Sequence, residues 1–299
     1  MAKVLDLFAG AGGSSLGAEL AGLTVVAAVN HWPVAVRSHE ANHPRSQHYC
    51  EDAFVVDPYK LPAHDVLLAS PSCTGHTRAR GKDLPRHDTA RSTAWCVLRV
   101  AEVHRSRLVV VENVPELLRW ACYPAWRMAL EALGYTLTEQ VLDAADVGVP
   151  QHRRRLFVVA HRGRARAVRL APRPHVPARA ALDLDAGSWR PWRSYAAASV
   201  ARIEAAQRRR GRDLLVAYYG SRSSHAGLSL DEPIGTLTTR DRYVLVRGDA
   251  ARVLTVQEQL RLQGFPESYT LHGTRAERVA QIGNAVAPPM MRAVLEEVA

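Results

Sequence analysis

The stretch from Asp65 to Lys82 constrains the fold most, because a wholly apolar run within it ends abruptly at a proline. Residues 66–69 are short, apolar and flanked by polar residues, which is typical of a strand buried on both faces of a parallel sheet. Pro71 ends the strand, since proline lacks the N–H that a central ladder needs. Cys73 therefore follows the carboxyl end of a central strand, the edge at which open α/β sheets bind ligands.

The residues after Cys73 indicate what this thiol could do. Residues 74–91 are rich in Gly, His, Arg and Lys and poor in apolar side chains, so they predict a mobile cationic flap. A thiol beneath a basic flap indicates a nucleophile that acts on a polyanion. The alternative for a lone cysteine is a buried structural thiol.

Other apolar runs repeat the strand pattern and alternate with helical periodicity. Strands are predicted at residues 3–8, 24–29, 108–111 and 136–142, and helices at 16–21, 34–41, 93–103 and 125–133. This alternation predicts an α/β fold with a parallel sheet whose strands share one functional edge.

A glycine-rich turn, residues 9–15, joins the first strand to the first helix. Glycine lets backbone approach a ligand closely, and the helix amides behind the turn favour an electron-rich group. Such a turn suits nucleotides, dinucleotides or S-adenosylmethionine (AdoMet) alike. It lacks the Lys-Ser/Thr of a phosphate-binding P-loop, which argues against NTP hydrolysis.

The next strand ends supply further candidates. The tip of the second strand usually binds a cofactor ribose through an acid, but here the residue is His31. Trp32 could stack on an adenine, or could be a core or capping aromatic. Asp52 could accept a hydrogen bond from an adenine amino group, or simply begin a loop. Glu112 lies at the end of a buried strand, where burying a carboxylate costs free energy unless it is paired or has a functional role. The alternative is a solvated loop acid.

Three consecutive arginines introduce a strand at residues 156–160. A solvated charge run is the ordinary interpretation of such a triplet. Strand alternation instead sends Arg153 and Arg155 to one face and Arg154 to the other.

The composition restricts the kinds of partner that the chain is expected to bind. The net charge of +10, with 39 Lys and Arg against 29 Asp and Glu, favours a nucleic acid or another polyanion. Four cysteines match neither a zinc site nor a disulfide scaffold, so we expect reduced thiols, no metal and a cytoplasmic location. No signal peptide or membrane-spanning run is present, so no membrane partner is expected.

The second half changes character at Arg162, becoming rich in Arg, Ala and Pro up to about Asp249. A helix at 196–210 and short strands are predicted there, and basic, aromatic and hydroxyl side chains suit phosphate contact and base reading. Thr255 and Glu258 form a predicted capping box. A loop at 281–289 is expected to lead into a final helix at 290–298.

Six stretches together resemble the DNA (cytosine-5) methyltransferase family in order and spacing. They are residues 6–13, 71–73, 112–114, 151–155, 252–269 and 281–286, and the likeness covers nearly the whole chain. The resemblance implies an α/β Rossmann-like AdoMet domain at 1–163. It also implies a smaller β-containing target-recognition domain at 164–275, whose variable region is 164–251, and a segment at 276–299 that returns to the first domain.

The resemblance also implies a mechanism and a set of residues. Cys73 would attack C6 of a flipped-out cytosine, Glu112 would engage N3 and the exocyclic amine, Arg155 would hold O2, and Arg153 would contact the adjoining phosphate or the flap. A methyl group would be transferred from AdoMet onto C5 of cytosine in double-stranded DNA. We expect a monomer, with a cognate restriction endonuclease as a candidate partner. The implied cofactor residues are Phe8, Ala9, Gly10, Gly12, Gly13, His31, Trp32, Asp52 and Asn284.

The chain departs from the family pattern at two places. Ser72 and Thr74 flank the cysteine where most members have Pro and Gln, which affects the flap geometry. His31 replaces the ribose-binding acid, so AdoMet would bind more weakly unless an acid such as Glu51 compensates, and a variant cofactor is the alternative.

Three other functions compete with DNA methylation. The first is the same chemistry on tRNA cytosine, which the basic insert neither favours nor excludes. The second is a catalytically silent DNA-binding regulator, disfavoured because binding alone requires none of Cys73, Glu112 and Arg155. The third is a nucleotide-binding oxidoreductase, disfavoured because the glycine-rich turn lacks dinucleotide spacing.

Overall fold

The computed structural model of the chain describes residues 1–72, 92–164, 166–218 and 227–299. The predicted Cys73 and its flap, together with Tyr219 and Gly220 of the second half, lie outside these ranges.

The apolar runs of the first half form one seven-stranded sheet, in the order β3-β2-β1-β4-β5-β8-β6. The first five strands run parallel, and β8 runs antiparallel to both β5 and β6. Its strands are β1 (Lys3–Leu7), β2 (Thr24–Val29), β3 (Gln47–Tyr49), β4 (Val66–Ala69), β5 (Leu108–Asn113), β6 (Tyr135–Asp143) and β8 (Arg154–Arg162). The predicted α/β class with a parallel-dominated, Rossmann-like sheet is confirmed.

Helices cover both faces of this sheet. They are α1 (Gly13–Leu20), α2 (Pro33–Asn42), α3 (Ala94–His104) and α4 (Tyr123–Ala132). Strand alternation divides the core: Leu5 and Leu7 of β1 pack with α3 and α4, whereas Val4 packs with α1. Cys96, on α3, is buried in the first of these clusters.

The second half forms a separate four-stranded sheet, β10-β12-β13-β9, with antiparallel pairing. It contains β9 (Arg190–Pro191), β10 (Asp213–Ala217), β12 (Tyr243–Arg247) and β13 (Ala250–Val253), and α5 (Ala197–Arg210) packs against it. A two-stranded parallel ribbon of β7 (Gln151–His152) and β11 (Ile234–Gly235) links the two halves.

Three helices end the chain: α6 (Val256–Leu262), α7 (Arg275–Asn284) and α8 (Pro288–Val298). Thr255 and Glu258 form the predicted capping box of α6. The last helix returns to the large sheet and packs on α1. The contact is so close that a Cβ added at Gly17 of α1 would lie 2.7 Å from the Cβ of Met291. Short 3₁₀ turns occur at Pro58–Lys60, Pro115–Arg119, Ala144–Val147, Ala178–Ala181 and Trp192–Ser194.

The prediction of a loop at 281–289 is wrong for residues 281–284. Gln281 to Asn284 form the last turn of α7, which begins at a second capping box made by Thr274 and Glu277. The sequence carries the same Thr-x-x-Glu signature there as at Thr255.

None of the helices in the described ranges is long and apolar enough to cross a membrane.

Candidate active site

A cavity of about 370 Å³ opens at the carboxyl edge of the large sheet. The ends of β1, β2, β4 and β5 and the beginning of β8 form its walls. The structure brings most of the predicted site residues to this one cavity: Phe8, Ala9, Gly10, His31, Trp32, Glu112, Arg153, Arg155 and Asn284.

The turn after β1 has an unusual backbone conformation. Phe8 has φ +65°, a left-handed value that a bulky side chain rarely adopts and that costs on the order of 1–3 kcal/mol. Gly10 has φ +55°, and a Cβ built on it would meet nothing within 4 Å. The turn therefore presents bare backbone to the cavity at Gly10.

Gly12 and Gly13 have other neighbours and do not line the cavity. A Cβ at Gly12 would collide with the hydroxyl of Tyr269, and one at Gly13 would collide with the Val286 carbonyl. Both glycines permit close packing against the carboxyl-terminal third. Tyr269 also donates its O–H to the Ala11 carbonyl at 2.5 Å, so this packing fixes the turn.

The tip of β2 contributes His31 and Trp32, which are exposed and half-buried respectively. Asn30 accepts a hydrogen bond from the Trp32 N–H at 2.9 Å and lines the same cavity. Asp52 does not line it: this side chain accepts from the Phe54 N–H at 2.9 Å and begins a loop. Glu51, named as a compensating acid, is exposed and also lies outside the cavity lining.

Glu112 and Arg155 form an ion pair on the cavity wall, with Arg155 Nε 3.0 Å from Glu112 Oε1. The two side chains are only 8% and 13% exposed, so the pair is held largely out of water. Arg155 also donates to the Arg154 carbonyl at 2.8 Å. A carboxylate and a guanidinium thus stand together, ready to contact a polar planar ligand.

Arg153 lies on the same face as Arg155, as alternation predicted, and the described hydrogen bonds of its side chain go to backbone carbonyls. Its side chain donates to the carbonyls of Leu237, Gly283 and Ala285 at 3.2, 2.9 and 3.0 Å. The residue is 2% exposed. It joins β8 to the end of α7 and to the second half of the chain.

The loop that leads towards Cys73 is held at two points. Asn113 donates to the Pro71 carbonyl at 2.9 Å, and the Ser72 N–H donates to Thr93 Oγ1 at 3.0 Å. A proline at position 72 could not make the second bond. Cys73 itself lies outside the described residues.

A buried chain of polar groups underlies the glycine-rich turn. Ser15 donates to Asp6 Oδ2 at 2.7 Å, His39 Nε2 lies 2.9 Å from Ser15 Oγ, and His48 Nε2 lies 2.8 Å from His39 Nδ1. Since the Ser15 proton goes to Asp6, His39 must donate from Nε2 and accept at Nδ1. Burial raises the pKa of Asp6 to about 7, and burial also lowers the pKa of His39 well below its usual value.

A second groove, of about 810 Å³, begins beside the cavity, and Arg155 borders both. It runs between the large sheet and the second half of the chain. Its basic lining residues are Arg119, His152, Arg154, Arg155 and Arg242, with Glu116 and Asp143 as acids.

Sequence reasoning missed several polar residues of the cavity. Asn30 and Asn113 are neighbours of predicted site residues. Their position as polar residues at strand ends could have identified them as lining residues. Gln281 was assigned to a loop, yet its Oε1 is buried at the cavity wall, as is Ser70 Oγ, and neither oxygen has a hydrogen-bond partner among the described residues.

The described ranges contain no group of three or more His, Cys, Asp or Glu side chains that could hold a metal ion. Their three cysteines, Cys50, Cys96 and Cys122, are free thiols.

The decisive comparison is with protein families. The model of the C-5 cytosine-specific DNA methylase family matches residues 2–181 and 191–299. This chain belongs to that family. It is therefore a DNA (cytosine-5) methyltransferase, as the six sequence stretches indicated.

Individual relatives of this methyltransferase span nearly its whole length. Type II methyltransferase M.HgiDI of Herpetosiphon aurantiacus is 29% identical over 95% of this chain and 90% of its own. Type II methyltransferase M.NlaX of Neisseria lactamica is 28% identical over 99% of this chain and 96% of its own.

Solved structures share the fold. A candidate DNA modification methyltransferase encoded within an E. coli prophage has a TM-score of 0.75 at 22% identity and covers 100% of this chain and 98% of its own. The S. pombe Dnmt2 methyltransferase has a TM-score of 0.67 at 19% identity, with coverages of 99% and 96%.

Proposed function

We propose that this methyltransferase transfers a methyl group from AdoMet to C5 of a flipped-out cytosine in a specific duplex sequence, through a covalent Cys73–C6 adduct. The observation that carries the proposal is the Glu112–Arg155 ion pair, which stands in the same cavity as the glycine-rich turn. Cofactor and base would meet there.

The cavity fits AdoMet in size and lining. Its volume lies within the range of about 300–1,000 Å³ that is usual for small-molecule sites. Gly10 would allow the amino-acid part to approach the backbone, Trp32 would stack on the adenine, and His31 would bond a ribose hydroxyl. Ser70 Oγ and Gln281 Oε1 lie at the wall as acceptors that no described residue contacts through a hydrogen bond. When bound, AdoMet supplies an electrophilic methyl group.

The protein residues would make C5 nucleophilic. The Cys73 thiolate adds at C6, and the electron pair displaced from the C5–C6 double bond becomes available at C5. Glu112 would contact N3 and the exocyclic amine, where charge changes during this addition. Arg155 would remain beside Glu112 and contact O2. After methyl transfer, loss of the C5 proton expels the thiolate and restores the double bond.

DNA would occupy the groove that begins at Arg155. Because C6 is inaccessible inside a duplex, the base must leave the stack, at a cost of about a few kcal/mol. We place the target-recognition domain at 164–275, with 164–251 as its variable region, between a catalytic domain at 1–163 and a returning segment at 276–299. Arg153 would hold the end of α7 against the start of β8, and its contact with the adjoining phosphate or the flap stays a prediction.

The biological setting follows from the substrate. An enzyme that modifies DNA must be located where the DNA is, so we propose a cytoplasmic, nucleoid-associated protein. We also propose that it is a monomer. The two relatives described above are Type II methyltransferases, which supports a role in restriction and modification with a cognate endonuclease.

Bisulfite sequencing tests the proposal directly. Plasmid DNA from cells that express the protein should contain fully protected cytosines within one sequence context, and plasmid from cells that express Cys73→Ser should contain none. Protection confined to tRNA cytosine, or none in either nucleic acid, would reject the proposal.

A further inference from the structure

A second basic groove lies at the amino edge of the large sheet, where β5 begins and β8 ends. It has a volume of about 740 Å³. We call it the arginine groove after its five arginines: Arg107, Arg162, Arg164, Arg166 and Arg169. Glu297 is the acid among its described lining residues, so five positive charges face one negative charge.

These charges are not neutralised within the described part of the protein. The guanidinium groups of Arg107, Arg164, Arg166 and Arg169 have no ion pair or hydrogen bond with any described residue. By contrast, Arg193 and Arg212 of the second half share Asp249 at 2.9 and 3.2 Å. Uncompensated like charges in one concave surface attract a polyanion.

The described backbone on both sides of these arginines is held by hydrogen bonds and by a buried side chain. Thr136 donates to the Gly163 carbonyl at 2.9 Å and Thr138 donates to the Arg166 carbonyl at 3.1 Å, so the segment lies along β6. Val168, at 2% exposure, anchors it in the core beneath α8. Because these contacts already hold Gly163, Arg166 and Val168, binding would immobilise mainly the arginine side chains, which reduces its entropic cost.

The groove is remote from the reaction cavity. In the β5–β8 ladder, Leu108 pairs with His161 near the groove, whereas Glu112 pairs with Phe157 near the cavity. Four residues of strand separate the two ends, about 13 Å. The two sites open at opposite ends of the strands, so we take a duplex in the arginine groove to be a segment other than the one whose base enters the cavity.

We infer that the arginine groove binds the sugar–phosphate backbone of a second DNA segment. Guanidinium groups match phosphate oxygens in a bidentate manner, and arginine is the preferred residue for this contact. Such binding reads no sequence and would hold the enzyme on long DNA between targets. The inference depends on the proposed function only in taking DNA as the polyanion.

Native mass spectrometry of the full chain with an excess of a short duplex that lacks the target site tests the inference. We expect two duplexes per chain for the wild type and one for Arg164→Gln/Arg166→Gln/Arg169→Gln. The matched control is Arg208→Gln/Arg209→Gln/Arg210→Gln, which removes three exposed arginines from the last turn of α5 and the same total charge. It should still bind two.

Any of three results would overturn the inference: one duplex on the wild type, two on the groove variant, or loss of the second duplex in the control as well. The groove variant should also keep the wild-type Kd for AdoMet, because none of its three arginines lines the cofactor cavity, and this shows that the fold is intact. A protein that methylates no DNA would reject the proposed function, while the duplex count would still report on the groove.

Discussion

At the scale of single residues, Ser72 shows how this chain differs from most of its family. Proline usually precedes the catalytic cysteine and restricts the loop through its ring. Here a hydrogen bond from the Ser72 N–H to Thr93 Oγ1, 3.0 Å long, holds the loop instead. The sequence identified Ser72 as a departure, but the compensating residue lies 21 positions away and no local pattern marks it.

Thr93→Val should lower kcat by about 2- to 10-fold, the equivalent of one neutral hydrogen bond, and leave the Kd of AdoMet unchanged. Adding Ser72→Pro to this variant should restore the rate, because proline needs no acceptor. Single-turnover methylation by the two single variants and the double variant measures the coupling. Additive losses would show that the hydrogen bond does not position the loop.

The buried Asp6 predicts a pH dependence of stability. Its folded pKa of about 7 exceeds the ordinary value of 3.8 for an aspartate, so the unfolded chain loses this proton first as pH rises. Unfolding free energy should therefore fall between about pH 4 and 7, by on the order of 1.4 kcal/mol for each pKa unit. Ser15 and His43 face Asp6 and oppose part of the shift.

Asp6→Asn should remove this slope, whatever its effect on absolute stability. Denaturant unfolding at pH 5 and pH 8 measures the difference, and Asp185→Asn, at an exposed aspartate, is the control. Equal slopes in the wild type and Asp6→Asn would contradict the raised pKa.

His31→Glu should tighten AdoMet binding, since a carboxylate accepts from both ribose hydroxyls. Hydrogen bonds to charged groups contribute about 1.5–3 kcal/mol against about 0.5–1.5 for neutral ones, so the gain is about 1 kcal/mol, or several-fold in Kd. The acid among the described lining residues is Glu112, which Arg155 already pairs. Calorimetric titration should show tighter AdoMet binding for His31→Glu but not for the neutral variant His31→Gln. Unchanged or weaker binding by His31→Glu would refute the argument that His31 takes the place of a ribose-binding acid.

At the scale of elements, the sequence predicted the strands well and their long-range contacts poorly. Apolar runs located β1, β2, β4 and β5 within a residue or two, because burial on both faces leaves a continuous hydrophobic signal. Alternation placed Arg153 and Arg155 on one face. It could not predict that Arg153 would reach carbonyls more than 80 residues away.

The glycine-rich turn illustrates the same limit. Glycine indicates that something approaches the backbone closely, but not what it is. At Gly10 the open space faces the cavity, whereas at Gly12 and Gly13 the neighbours are Tyr269 and Val286. The last turn of α7, which we predicted as part of a loop, is a different case. The Thr274–Glu277 capping box that begins this helix could be recognised in the sequence.

At the scale of the whole molecule, our proposal assigns target recognition to the second half of the chain and methyl transfer to the large sheet. Exchanging residues 164–251 for the equivalent segment of a relative should change which sequence is methylated. Base-edge contacts determine sequence specificity, whereas in our proposal Cys73, Glu112 and Arg155 would act on any flipped cytosine. Genome-wide bisulfite sequencing of cells that express the chimera measures this. A folded, active chimera that keeps the original specificity would place recognition elsewhere.

The central claim is the covalent adduct at Cys73, and DNA that carries 5-fluorocytosine at the target tests it most directly. Fluorine at C5 blocks the proton loss that releases the thiolate, so wild-type enzyme with AdoMet should form an adduct that survives denaturing electrophoresis. Cys73→Ser should form none. Absence of the adduct from an enzyme that methylates unmodified DNA, or an equal adduct in Cys73→Ser, would contradict the mechanism.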